Sequence, residues 1–232
     1  MLCSVIALSF LGCAGEKIPD DNLAGVRKVE ASIPESELLT FLKIVDRLPD
    51  REPPVFSPLT DSFYVEDPAD ALIRECRIRF KKQFDVSRQG RIWKQNRAIR
   101  QAAARENRST AELAGMMTTL STAICRAQFD SPEDLKRIET KGNEETLRLK
   151  QSLDRIDRAL AQQTATILSR QRTELAMKLS RTVALVEYVK LLQKVPDSNV
   201  KLVKKHHSRL ASLVDQSALE NLDPKSLTAA FD

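Results

Sequence analysis

The side chains best able to do chemistry are few in this 232-residue chain: two histidines, four cysteines and one tryptophan. The histidines are neighbours, His206-His207. Adjacent helical positions point about 100° apart, whereas helical metal pairs sit three or four residues apart. His207 continues the stripe Val203, Leu210, Val214 and reads as a core-edge residue. With no third histidine, Ser-His-Asp and Cys-His arrangements and a haem-attachment motif have nothing to draw on. Cys76 and Cys125 lie beyond the N-terminal region that holds Cys3 and Cys13. On one continuous helix they would stand about 70 Å apart, and on a folded-back one about 20 Å. Both distances are too long for a disulfide, so two buried free thiols are expected. The acidic pairs Glu133-Asp134 and Glu144-Glu145 sit in helical contexts where solvation or the helix dipole accounts for them. No glycine loop cradles a phosphate and no dinucleotide fingerprint is present. The sequence therefore assigns no catalytic residue, no cofactor and no metal ligand, and the expectation is that the chain is not an enzyme. A site assembled from carboxylates in three dimensions is the reading left open.

Charge is the stronger signal. The net charge is +5. Between Ala69 and Arg108, twelve Lys and Arg face only Asp70, Glu75, Asp85 and Glu106, a local net of +8. Arg74, Arg77, Lys81, Arg88, Arg91, Lys94 and Arg97 are the residues expected to form a face for an anionic partner. Phe80, Phe84 and Trp93 are interleaved with them. Counterion release and base stacking could make such a segment bind nucleic acid, while a solvated face packed by its own aliphatic stems is the plainer alternative.

These residues follow a distinctive start. Met1 to Gly12 carries no charge and includes Leu2, Val5, Ile6, Ala7, Leu8, Phe10 and Leu11. The run has the length of a signal-peptide apolar region and falls short of the ~20 residues that span a bilayer. It closes at Phe10-Leu11-Gly12-Cys13 and turns polar after Ala14-Gly15. This stretch resembles the lipobox of bacterial lipoproteins, although Phe10 stands where Leu is usual and no Lys or Arg precedes the run. The resemblance covers about the first 15 residues. It implies cleavage after Gly12, a diacylglyceryl group on the Cys13 thiol and attachment to a membrane without spanning it. The alternative is a buried apolar N-terminus of a cytoplasmic protein.

The body that must position these groups reads as all-α. Residues 1–12 are the expected signal peptide, 13–32 a polar tether and 33–232 one helical domain. Ser32-Ile33-Pro34-Glu35 has a capping-box pattern and opens a helix over 33–48. Residues 49–68 are a proline-rich loop whose Val55, Phe56, Leu59, Phe63 and Tyr64 should lie against the body. Segments 69–128 and 131–195 read as long helices joined at Asp130, with Ser131 as N-cap and Pro132 as the first helical residue. A terminal helix follows over 198–215, capped by Asp197 and Ser198. Ile99, Ala103, Glu106, Thr110, Leu113, Met117, Leu120 and Ile124 form a coiled-coil-type stripe, and the pairs Glu144/Arg148, Asp154/Arg158 and Glu174/Lys178 suit an outer face. The matched lengths favour an elongated antiparallel hairpin about 90 Å long with short flanking helices. The other solution breaks the first segment at Asn107-Arg108, because Ser109-Thr110-Ala111-Glu112 is itself a capping box, and gives a compact bundle.

The functional expectation is a lipid-anchored structural or protein-interaction module on the outer side of a bacterial membrane. It would face the periplasm in a Gram-negative cell, and its partner would be an unnamed envelope protein or a second copy. Export takes the chain away from nucleic acid and leaves anionic lipid headgroups, cell-wall polymers or an acidic protein face as partners for the basic segment. The alternatives are a cytoplasmic helical protein binding nucleic acid through 69–108, and an exported enzyme or ligand carrier with a carboxylate-based site.

Overall fold

The computed structural model describes residues 26–57, 59, 64–162 and 166–210. Among the described residues are nine α-helices and no strand. The helices are α1 (Glu35–Val45), α2 (Ala69–Gln83), α3 (Val86–Gln95), α4 (Arg97–Arg105), α5 (Thr110–Arg126), α6 (Pro132–Gln162), α7 (Thr166–Gln193), α8 (Asp197–Lys205) and α9 (His207–Leu210). The signal peptide, Cys13, most of the tether and residues 211–215 of the expected terminal helix lie outside the described residues.

The segment 69–128, expected as one helix, is four, and each break has a polar cause. Asp85 caps α3, its carboxylate accepting the N–H groups of Ser87 and Arg88 at 2.9 and 3.2 Å. Asn96 caps α4 by accepting from Ala98 and Ile99 at 3.0 and 3.3 Å. At the next break Asn107 takes a φ of 54°, which asparagine tolerates better than most residues. The N–H of Arg108 then returns to the Ala103 carbonyl at 3.0 Å, the hydrogen bond that closes a Schellman motif. Ser109 and Glu112 complete the expected capping box of α5. The compact bundle therefore replaces the 90 Å rod.

The sequence 131–195 is likewise two helices, α6 and α7, which lie antiparallel. Arg172 meets Asp157 at 2.6 Å, Lys178 meets Glu145 at 3.0 Å, and Gln193 meets Glu139 at 2.9 Å. The hairpin is thus built within this segment, each arm about 45 Å long. Ser131 caps α6 as expected, accepting from the Asp134 N–H at 3.2 Å. Leu149 and Leu153 of α6 and Ala176, Leu179 and Val183 of α7 enclose a small core with Ala69, Leu72 and Cys76 of α2.

The larger core surrounds α5. Of its 17 residues, 14 are buried, so it meets neighbours on every side rather than along a stripe. Helices α1, α3, α4, α7 and α8 all pack on it. Its approach to α3 depends on Gly90: a Cβ there would stand 2.6 Å from Ala111 Cα. The Thr110 hydroxyl donates to the Gly90 carbonyl at 2.8 Å across the same crossing.

Two extended segments are tied down by side-chain amides. Residues 26–32, expected as the end of a free tether, lie on the body, with Val29 buried. Asn199, fully buried, accepts the Ile33 N–H at 2.8 Å and donates to the Ala31 carbonyl at 2.9 Å. Ser32 does not cap α1; its hydroxyl meets Ser198 at 3.1 Å, and the N-cap position falls to Pro34. Pro196 likewise precedes α8 in place of a side-chain cap. In the proline-rich loop, buried Gln89 accepts the Ser57 N–H at 3.0 Å and donates to the Ser57 carbonyl at 3.1 Å. Phe56 packs on Trp93. Val55 and Tyr64, expected against the body, are exposed instead, because the backbone rather than these side chains makes the attachment. Phe63 lies outside the described residues.

The two helical glycines at crossings should respond differently to alanine, which on propensity alone favours a helix by about 1 kcal/mol. At Gly90 the obstacle is the backbone of another helix, so Gly90→Ala is expected to destabilise by roughly 1–3 kcal/mol. At Gly115 the new Cβ would meet the Arg27 backbone at 3.1 Å, where an extended segment can yield, and the change should be smaller. Urea unfolding of both variants measures the difference.

Candidate functional site

The cation-bearing segment is spread over α2, α3 and α4, and the fold divides its members. On α2, Arg74, Arg77 and Lys81 are exposed on the side opposite buried Leu72 and Cys76. Arg77 reaches Glu187 at 3.3 Å, and Arg74 borders a shallow groove with Tyr64, Asp67, Glu75 and Ile78. Arg88 helps to hold the proline-rich loop, its guanidinium donating to the Ser57 carbonyl at 3.1 Å. The Lys94 carbonyl accepts from Arg100 at 3.0 Å. Arg91 and Arg97 are exposed.

The candidate face ended at Arg97, the first residue of α4. Arg100 and Arg105 share the exposed side of α4 with Arg97, opposite Ile99, Ala102 and Ala103. From Val86 to Arg105 there are six cations and no acid, a pattern that could have been read directly. The flanking acids are already engaged, Asp85 as the α3 cap and Glu106 with Arg47.

The interleaved aromatics do not share this surface. Trp93 is 3% exposed, and its indole N–H donates to the Val55 carbonyl at 3.2 Å. Phe80 lies 4.8 Å from Phe84, which stacks in turn on Tyr188 at 6.2 Å. Trp93 is thus unavailable for base stacking, and Phe80 and Phe84 are half-buried.

Cys76 and Cys125 are free and buried. Cys76 lies beside Ser180, and Cys125 beside Tyr188. These contacts are eight residues apart on α7, about 12 Å along its axis. Burial pushes both thiols above their ordinary range, the opposite of what a nucleophile needs. Burial also holds the Tyr188 phenol well above its usual value.

The histidines exchange the parts expected of them. Helix α8 ends at Lys205 and His206 leaves helical geometry at φ −105°, which resets the stripe. His206 is the half-buried one, its Nε2 2.8 Å from Glu35, while His207 is exposed. Lys205 also binds Glu35, at 2.9 Å. Hydrogen bonds first from Lys205 and then from His206 hold this exposed carboxylate below its ordinary value.

Of the acidic pairs, Glu144 is exposed and Glu145 is buried. Its carboxylate receives Arg148 Nε and Nη2 at 2.6 and 2.7 Å and Lys178 Nζ at 3.0 Å. Arg148 thus pairs three residues back rather than with Glu144, and Lys178 reaches across to α6 rather than to Glu174, which takes Arg170 at 3.1 Å. Arg158 turns to the backbone carbonyl of Asp154 at 3.1 Å. Asp134 accepts from Ser131 and from Arg137. Each of these partnered acids is occupied in holding a helix or joining two. Among the described residues no group of His, Cys, Asp and Glu could hold a metal ion, and no helix is long and apolar enough to cross a membrane.

Hydrogen bonding from Arg148, reinforced by Lys178, keeps Glu145 below its ordinary carboxylate value. A depressed value means stability that is present above the unfolded value and lost as pH falls through the folded one. Glu145→Gln should therefore destabilise near neutral pH by about 1–2 kcal/mol, since its partners are largely solvated. That gap should close below the usual carboxylate range, as urea unfolding across an acid series would record. In comparison with known proteins, the chain matches no family model, no curated protein and no solved structure.

Proposed function

We propose that this chain is a lipid-anchored extracytoplasmic protein of the bacterial envelope, whose helical body is a structural or protein-interaction module. The observation that carries the reading is the uncharged apolar run closed by Phe10-Leu11-Gly12-Cys13 and followed by a polar stretch. Thirteen residues then lead from Cys13 to Val26, at most about 45 Å of extended chain, before the backbone is laid on α5 and α8. The body is thus held near its point of attachment. What the rest of the chain offers there supports an interaction role. The Cys76 and Cys125 thiols and the Tyr188 phenol are pushed toward their neutral forms, and Glu145, the buried carboxylate among the described residues, joins two helices. A catalyst or carboxylate-lined carrier would need such groups free and convergent.

Binding of nucleic acid by a cytoplasmic form is the second reading, favoured by the acid-free run on α3 and α4. Buried Trp93 leaves that run no stacking ring, so phosphate contacts would have to carry it.

Mass spectrometry of the chain from a membrane fraction tests the anchor. The expected product begins at Cys13 and carries diacylglyceryl and acyl masses, and Cys13→Ala should release the chain to the soluble fraction. An unmodified soluble chain that retains Met1 would overturn the proposal.

A further inference from the structure

We propose that the outward side of α3 and α4, carried by Arg91, Arg97, Arg100 and Arg105, docks on an anionic phospholipid bilayer. The inference deepens the anchored reading by naming a surface and a partner, and it rests on that reading for the choice of bilayer over nucleic acid. All four arginines are exposed, and none forms an ion pair with a carboxylate among the described residues. The two acids that bracket the run are consumed, one as a helix cap and one by Arg47. The face therefore holds positive charge that no carboxylate among the described residues neutralises.

Its chemistry points to phosphate. Five of the six cations from Val86 to Arg105 are arginine, whose planar fork matches phosphate oxygens two at a time. Nothing large and apolar lies exposed on α3 or α4; the exposed large hydrophobic residues are on other elements. Such a face would adhere to headgroups without inserting, so its attraction should be screened within about a Debye length, ~10 Å at moderate salt. Trp93, the one aromatic residue of α3 and α4, is buried, which weighs against stacking on single-stranded nucleic acid.

Position agrees with the chemistry. Helix α4 packs on α1 and α5, and Arg47 at the end of α1 pairs with Glu106 at the end of α4. Residues 26–33, which lead back toward Cys13, run directly into α1 and cross α5 at Gly115. The cationic helix thus stands beside the elements that receive the tether. A lipid chain and a basic face acting together hold a protein more firmly than either alone, because the second contact becomes intramolecular.

The experiment uses the full chain with Cys13→Ala, so that no lipid is attached and the result is independent of the anchor. Sedimentation with vesicles of phosphatidylglycerol and phosphatidylcholine is compared with phosphatidylcholine alone. Binding to the anionic vesicles is expected to be about tenfold tighter or more and to fall as salt rises. Arg97→Glu/Arg105→Glu should abolish the preference and Arg97→Gln/Arg105→Gln should weaken it. Lys201→Glu/Lys204→Glu, an equal change of net charge on exposed positions of α8, should leave it, with circular dichroism confirming that each variant is folded. Equal binding to both vesicles, an equal loss in the α4 and α8 variants, or tighter binding to double-stranded DNA than to anionic vesicles at the same salt would each overturn the proposal. Vesicle binding without acylation of the native chain would overturn the anchor and leave the surface standing.

Discussion

The structure depends on burying one helix, α5, on all sides. That demand fixes the residues at each crossing, because a neighbour's backbone has to come close. Gly90 of α3 meets Ala111 with no room for a methyl group, and Gly115 lets the backbone of Arg27 pass over the same helix. It also restricts which polar groups α5 can carry. Thr118, Thr119 and Thr122 are buried, and each hydroxyl donates to a carbonyl four residues back, at 2.8 Å in all three cases. A hydroxyl satisfied within its own helix can face an apolar neighbour at little desolvation cost, so the threonines serve as medium-sized packing residues.

Once α5 is enclosed, the remaining elements divide into those that cover it and those that brace the cover. The extended segments have no sheet to satisfy their backbones, and buried Asn199 and Gln89 each supply one donor and one acceptor in its place. Both amides therefore do what a neighbouring strand would do. Arg172 repeats the device from α7: it donates to the carbonyls of Glu66 and Asp67 at 2.9 Å while its Nε binds Asp157 at 2.6 Å. The loop before α2 is thereby joined to both arms of the hairpin, and α2 is set over the second core.

The all-α class, the Ser131 cap and the Ser109–Glu112 box were legible in the sequence, since each depends on residues within one turn. The breaks at Asp85 and Asn96 were not, because neither carries glycine or proline and both sit in a charged run that reads as solvated helix. The division between α6 and α7 was hidden for a related reason. Leu153, Ile156, Leu160, Thr164 and Ile167 keep one helical spacing, so periodicity carries straight across it. The stripe through α5 misled in another way: a helix buried all round has no preferred face, and Thr110 is buried along with residues off the stripe such as Ala111 and Thr118. His207 was misplaced because a single non-helical residue, His206, shifts the phase of everything after it. Among the candidate residues, Arg88 lost its surface role to the Ser57 carbonyl, a contact between positions 31 apart that local pattern does not encode. The α4 arginines needed only the absence of acids to be noticed.

That absence follows from the same central constraint. The inner sides of α3 and α4 must approach a helix crowded with Ala, Gly and Thr. They accordingly present Gln89, Gly90, Trp93, Ile99, Ala102 and Ala103 to the interior, leaving most of the intervening cations no course but outward. Each pair of like charges about 10 Å apart in water repels by about 0.4 kcal/mol before screening, so segregation is mildly unfavourable in the isolated chain. Acids in place of Arg91, Arg97 or Arg105 would have relieved it without disturbing a buried contact, since these three side chains are exposed. The sequence instead places arginine there repeatedly and acids only at the two ends, where both are consumed. The charge on α3 and α4 is thus compatible with the core but not required by it.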